Sequence, residues 1–288
     1  MKYLPKKIWF LWLQGLDEAP IEVKKCYESW VRNNHGWQVI FIDKQTITEY
    51  VHLPGWDIEE YVASELLRLN LLARYGGVWA DATCYCVKPL DEWLPGYMNA
   101  GFFAFNRPGP DRMLSSWFMA SYPQNPIITA FQKSVNEFWG ENTGIRLIEN
   151  TRWKFLYKHL QRLNPQIWFS SFFTKILKVH PYFWFHYTFE NVYLKFPSVK
   201  KTWDSVPKFS ADIPHKLLFA GLFNPVTEEL RSEIDQKTTP VYKLTWKYQP
   251  GQYLPATIMY YLLNGNAGIT ERYVTCIKNL RSFINFAS

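Results

Sequence analysis

Glu65, Arg68 and Asp81 are the residues of this chain best suited to chemistry, because charge recurs there inside otherwise apolar sequence. Glu65 and Arg68 stand three apart in a segment carrying Leu66, Leu67, Leu69, Leu71, Leu72 and Tyr75, too many apolar residues for a surface helix. At that spacing both project from one helix face, where they either neutralise each other or face a polar cavity. Asp81 interrupts the apolar run Val78 to Tyr85. A carboxylate in a core strand is costly unless a cation or several donors meet it, so the strand is expected to reach a ligand cleft there.

The elements that must position these groups follow from local pattern. Gly76 and Gly77 end the helix, since a C-terminal residue with positive φ is cheapest as glycine. The expected order is strand Ile8 to Leu13, helix Glu22 to Asn33, strand Trp37 to Ile42, helix Ile58 to Tyr75, strand Val78 to Tyr85 and strand Ala100 to Phe105. Asn106 to Pro110 reads as a loop and Ile127 to Trp139 as a helix. This alternation argues for an open α/β sheet over residues 1–145, followed by a helical, basic and aromatic part over 146–288, continuous with it in the sense that no flexible linker intervenes.

At these residues the chain resembles a known family. Ser64-Glu65-x-x-Arg68 followed by Tyr75-Gly76-Gly77-Val78-Trp79-x-Asp81 is similar to the sugar-binding region of glycosyltransferase family 32. Asp81-Ala82-Thr83 with Lys88-Pro89-Leu90-Asp91 resembles its capsular polysaccharide synthesis branch, and Lys6 to Gly15 resembles the family's first strand. The resemblance implies a Rossmann-like nucleotide-sugar glycosyltransferase fold of GT-A type, with a helical, basic C-terminal part. It implies transfer of a hexose from a UDP-sugar to a glycan or lipid-linked oligosaccharide acceptor, with retention at the anomeric carbon. In that scheme Asp81 holds a divalent cation, Mn²⁺ or Mg²⁺, while Glu65 and Arg68 orient sugar hydroxyls as an ion pair that keeps both charged. Trp12, beside Leu11 at the end of the first strand, stacks on the base, and Ser64 belongs to the donor-binding helix. The family's motif is Asp-x-Asp, so Thr83 replaces the second carboxylate.

Pro240 to Tyr248 reads as a short strand with Val241, Tyr242, Leu244 and Trp246 set apart from Lys243, Thr245 and Lys247. The resemblance implies that Thr245-Trp246 closes over the diphosphate, with Lys243 offsetting phosphate charge. An exposed basic edge strand is the plain alternative.

Composition locates the chain's basicity. Of the net charge of +7, residues 151–203 contribute +8, nine Lys or Arg against Glu190 alone, and the rest sums to −1. Trp153, Phe155, Trp168, Phe172, Phe173, Trp184 and Phe185 interleave with those cations. That mixture suits an anionic membrane surface, with a helical core bearing a basic face as the rival and nucleic acid set aside. Without a signal-peptide core or a run of some 20 apolar residues, the expected location is cytoplasmic, peripheral at the inner face of the plasma membrane. Cys26, Cys84, Cys86 and Cys276 lack metal spacing and read as reduced thiols. No Gly-x-Gly-x-x-Gly or P-loop is present. Two rival classes stay open: a glycoside hydrolase using Glu65 and Asp81, and a glycan-binding protein with a decayed site.

Overall fold

The computed structural model describes residues 3–51, 59–160, 164–249 and 251–265. Ile58 and Cys276, both named above, lie outside them. The principal strands are β1 (Lys7–Leu11), β2 (Gln38–Ile42), β3 (Gly77–Ala80), β4 (Cys84–Cys86), β5 (Phe102–Gly109), β6 (Arg112–Ser121), β7 (Arg146–Leu147), β8 (Val179–His180) and β9 (Val241–Lys243). The helices used below are α1 (Ile21–Asn33), α2 (Glu60–Tyr75), α3 (Pro126–Glu141) and α4 (Trp184–Lys195). Chain contacts group into two units.

The larger unit comprises residues 1–19, 34–82 and 90–212. Its centre is a five-stranded mixed sheet in the order β2-β1-β3-β6-β5. Strands β1, β2 and β3 run parallel, and β6 is antiparallel to both β3 and β5. Trp9 and Trp79 face one another in register, and both are buried. On one face Trp9, Trp79, Phe102 and Met119 join Leu67 and Leu71 of α2, Phe131 of α3 and Phe185 of α4 in a single core. Phe103, Phe105 and Phe118 contact Trp93 in ring pairs with the opposite parity, as a pleated strand requires.

The turn from α2 into β3 permits only glycine. Gly76 has φ +66° and Gly77 φ +94°; a Cβ on Gly77 would lie 2.5 Å from the Lys7 carbonyl oxygen. The Gly76 carbonyl accepts the indole N–H of Trp9 at 2.8 Å, so Trp9 is a core residue that also pins this turn.

Three expectations are corrected. The run Val78 to Tyr85 is two strands, because β3 stops at Ala80 and residues 81–83 break away before β4. Asn106 to Gly109 is strand rather than loop; β5 continues through it with register shifts on either side of Asn106. The long strand β6, for which the sequence pattern offers no element, pairs directly with β3 and supplies the Trp117 carbonyl that accepts the Asp81 N–H at 2.9 Å.

The smaller unit comprises residues 20–33, 83–89 and 213–288. Here β4 pairs antiparallel with β9, and α1 lies against β4 through the Trp30 indole, which donates to the Cys84 carbonyl at 2.8 Å. Cys26, Cys84 and Cys86 are fully buried thiols, Cys84 and Cys86 pointing the same way as alternation requires. The Cys26 thiol is pushed well up by burial, with Cys84 adding to the shift.

Candidate functional site

Asp81 follows β3 directly, where that strand ends, and its side chain is about three-tenths exposed. Its Oδ1 accepts two hydrogen bonds, from the Trp79 indole at 2.8 Å and from Arg68 Nη2 at 3.0 Å. Arg68 is buried, its guanidinium 5.0 Å from the Trp79 ring centroid and 5.4 Å from that of Phe185. Two cation–π faces and one carboxylate therefore hold a charge that would otherwise be expensive inside the protein.

Glu65 sits differently from the expectation. Its Oε1 is 3.9 Å from Arg68 Nη1, beyond hydrogen-bond reach, and its Oε2 has no hydrogen-bond partner among the described residues. Burial pushes its carboxyl up to about 8; Arg68 pulls it down and Asp81 pushes it further up. The expected Glu65–Arg68 pair is present at 3.9 Å, but Arg68 gives its shorter contact to Asp81, and burial favours the protonated form of the Glu65 carboxyl.

Residue pattern alone did not mark the aromatic and polar surround of these groups in the same unit. Tyr182, half exposed, lies 5.7 Å from Tyr61 between ring centroids, and its N–H donates to Glu149 at 3.3 Å. The Tyr182 phenol is raised by burial and then by the charges of Glu65 and Asp81, so it stands within electrostatic reach of both. Arg112, at the start of β6, pairs with Asp111 at 3.3 Å and lies 4.0 Å above the Phe183 ring. Asp111 also accepts the Tyr187 hydroxyl at 2.5 Å. Buried His186 is pulled down to about 3 by desolvation, then by Arg112 and Arg68. The signal available for Arg112 was its place opening an apolar run, invisible once Asn106 to Pro110 read as a loop.

Other expected site residues of this unit are placed separately. Leu11 closes β1 and is buried; Trp12 is half-buried and its N–H continues the ladder to the Ile42 carbonyl at 3.0 Å. The Ser64 hydroxyl donates back to the Tyr61 carbonyl at 2.8 Å within α2. Asn106, not itself an expected site residue, uses its backbone N–H to donate to the Phe209 carbonyl and its backbone carbonyl to accept from Ala211, both at 2.9 Å.

In the smaller unit, Thr83 is buried and its hydroxyl accepts from the Lys243 ammonium. The Thr83 carbonyl takes the Leu244 N–H at 2.8 Å, which ends the β4–β9 ladder there. Lys243 is thus on a paired strand rather than an open basic edge. The strand stops at Lys243, so the alternation expected through Trp246 is corrected: Leu244 is buried, Thr245 half-buried and Trp246 half exposed beside Lys247. Thr245 Oγ1 accepts the Lys247 N–H at 3.1 Å.

An amphipathic helix, a double-glycine turn and a carboxylate leaving a strand now have definite geometry, and comparison with known proteins places them. The family model described as capsular polysaccharide synthesis protein matches residues 2–147 and 150–262. The chain belongs to this family. Among curated relatives of this family member, the O-glycosyltransferase braB of Annulohypoxylon truncatum is 26% identical over 188 residues, 56% of this chain and 44% of that protein. An uncharacterized glycosyltransferase of Acanthamoeba polyphaga mimivirus is 24% identical over 159 residues, 51% of this chain and 61% of that protein. The chain therefore spans about half the length of the curated relatives it matches. Among solved structures, the PaToxG glycosyltransferase is similar over 92% of this chain and 88% of its own, at 14% identity and a TM-score of 0.39, too distant to carry an argument.

Proposed function

We propose that this chain transfers a hexose from a uridine diphosphate sugar to a hydroxyl of a glycan acceptor, lipid-linked, in capsule or surface polysaccharide synthesis. The observation that carries the reading is the Arg68–Asp81 pair at the open end of β3, in a member of the capsular polysaccharide synthesis family. A buried guanidinium that fixes a partly exposed carboxylate is a preorganised electrostatic element, the kind that acts on charge developing in a transition state. Neutral Glu65 beside it has a proton to donate to a sugar oxygen, and Tyr182 over Tyr61 offers a ring face to an acceptor sugar. The two relatives named as glycosyltransferases support the same class. In this reading the mixed sheet is a nucleotide-sugar fold of GT-A type, and the reaction proceeds with retention.

The test is nucleotide release from a panel of uridine and guanosine diphosphate sugars, with and without a glycan acceptor. Release of uridine diphosphate from one sugar, accelerated by acceptor, is the expected result. No release, together with no nucleotide binding by calorimetry, would transfer the reading to a glycan-binding role.

The lipid-linked acceptor puts the protein at a membrane surface, on the cytoplasmic side. No helix among the described residues is long and apolar enough to cross a membrane. Trp168, Phe173, Trp184 and Phe185 are buried and serve the core, which leaves Phe155, Phe172 and Ile176 exposed near Lys154, Lys175 and Lys178. Those side chains would carry the membrane contact. The protein is expected to float with vesicles containing anionic lipid and to stay behind with neutral ones; equal recovery in the soluble fraction would remove the membrane claim.

A further inference from the structure

A divalent cation held by Asp81 is the expectation that the side chains here fit least well. Hard cations such as Mg²⁺ and Ca²⁺ take about six or more oxygen ligands, Ca²⁺ from several carboxylates and carbonyls and Mg²⁺ from one or two carboxylates with waters and substrate phosphates. Asp81 Oδ1 is already shared between Arg68 and Trp79, and the guanidinium bound to it is itself a fixed positive charge. Among the described residues no three His, Cys, Asp or Glu side chains gather to hold a metal ion. Two residues further along the chain, the position of the second carboxylate is Thr83, whose hydroxyl accepts an ammonium. A metal ion seeking that oxygen would meet a like charge already seated on it.

Lys243 is built into its position. The antiparallel pairing of β4 and β9 sets Cys84 opposite Lys243, and the next backbone bond, Leu244 N–H to the Thr83 carbonyl, fixes the end of the ladder. The ammonium donates to the Thr83 hydroxyl and, at 3.3 Å, to the Leu244 carbonyl. Both partners are neutral oxygens. Neither contact puts a negative charge on this half-buried ammonium, so an anion arriving from outside would meet a donor not already offset by them.

We propose that Lys243, seated on Thr83, supplies the positive charge that receives the leaving diphosphate, and that transfer by this chain needs no divalent cation. The proposal rests on the nucleotide-sugar reading above. In that reaction the anomeric carbon–oxygen bond breaks with its electron pair on the β-phosphate oxygen. The acceptor hydroxyl oxygen bonds to the anomeric carbon, and its proton passes to the departing diphosphate. Negative charge therefore develops on the diphosphate, where a preorganised ammonium does the work a metal ion does elsewhere. Threonine at position 83 fits this role, since a hydroxyl accepts from an ammonium without cancelling its charge as an aspartate would.

The test is calorimetric titration of the full chain with uridine diphosphate and guanosine diphosphate, in EDTA and again in Mn²⁺, with nucleotide release from the active donor measured in the same buffers. Uridine diphosphate affinity and release are expected to agree within about twofold between EDTA and Mn²⁺. Lys243→Gln, which keeps a donor for Thr83 but removes the charge, is expected to weaken uridine diphosphate binding by about tenfold to a hundredfold in both buffers, the range of one charged hydrogen bond. A tenfold or greater loss of wild-type binding or release in EDTA, restored by Mn²⁺, would overturn the proposal and leave the nucleotide reading standing. Wild-type affinity in a folded Lys243→Gln variant would also overturn it. Should that variant not fold, the wild-type comparison decides alone. If neither nucleotide binds in either buffer, the nucleotide reading fails and this proposal fails with it.

Discussion

Asp81→Asn is expected to lower the rate of sugar transfer by about 100- to 1000-fold, the range for removing one preorganised electrostatic group, while leaving the melting temperature within a few degrees of wild type. The separation of the two effects comes from geometry. Asparagine presents a carbonyl oxygen where Asp81 Oδ1 now accepts from the Trp79 indole and Arg68, so both hydrogen bonds persist without the charge. Asp81→Ala is a poorer probe, because it strips the short contact from a guanidinium that is 3% exposed. Breaking a buried pair in that way costs about 3–5 kcal/mol, and lost activity could then be lost fold. Rate measurements on Asp81→Asn, paired with its thermal transition, check the claim. A variant that turns over like wild type would make Asp81 an anchor for Arg68 with no part in the chemistry.

Asp81 was legible from residue pattern alone, and the reasons show where legibility ends. Glu65, Arg68 and Asp81 stood out because each breaks an apolar pattern, and Gly76-Gly77 marked the one turn that could join helix to strand. Their meeting in space follows from that short connection. What the pattern could not give was the break after Ala80. Val78 to Tyr85 is nearly all apolar on either side of it, and a run with both parities buried looks the same whether it is one strand or two. Strand β6 was hidden for the same reason, since Trp117 to Ser121 are all buried and show no alternation. Asn106-Arg107-Pro108-Gly109 misled in the other direction. Arg107 takes φ +53° and the register slips around Asn106, so the turn-forming residues make irregularities within a strand rather than a loop. Proline is tolerated because β5 lies at the edge of the sheet, where a missing N–H costs little. In residues 151–203 composition gave the charge its address but could not sort aromatics that fill the core from those left outside.

Glu65 yields the second large effect, and it runs against the intuition that a glutamate near an arginine is stabilising. The carboxyl is held at about 8 against an ordinary value of 4.5, with burial the main cause. The sign follows from where each state releases its proton. Below pH 4.5 folded and unfolded chains are both protonated and Glu65 costs nothing. As pH rises towards 8 the unfolded chain ionises while the folded chain keeps its proton, so stability falls; above 8 the loss is complete and flat. At about 1.4 kcal/mol for each pH unit separating the folded from the unfolded value, the full loss is on the order of 5 kcal/mol. Glu65→Gln cannot titrate and should escape it. Urea unfolding at pH 5 and pH 9 is expected to find the variant close to wild type at the lower pH and several kcal/mol more stable at the higher. Asp81 and Arg68 face Glu65 in both proteins, and so do the Tyr61 and Tyr182 phenols, so their own titrations largely cancel in the comparison. A variant less stable than wild type by the same margin at both values would mean that Glu65 is ionised in the fold and bonded to Arg68. In the transfer proposed above, that destabilising carboxyl, on the other side of Arg68 from Asp81, would be the neutral acid able to donate to a sugar oxygen.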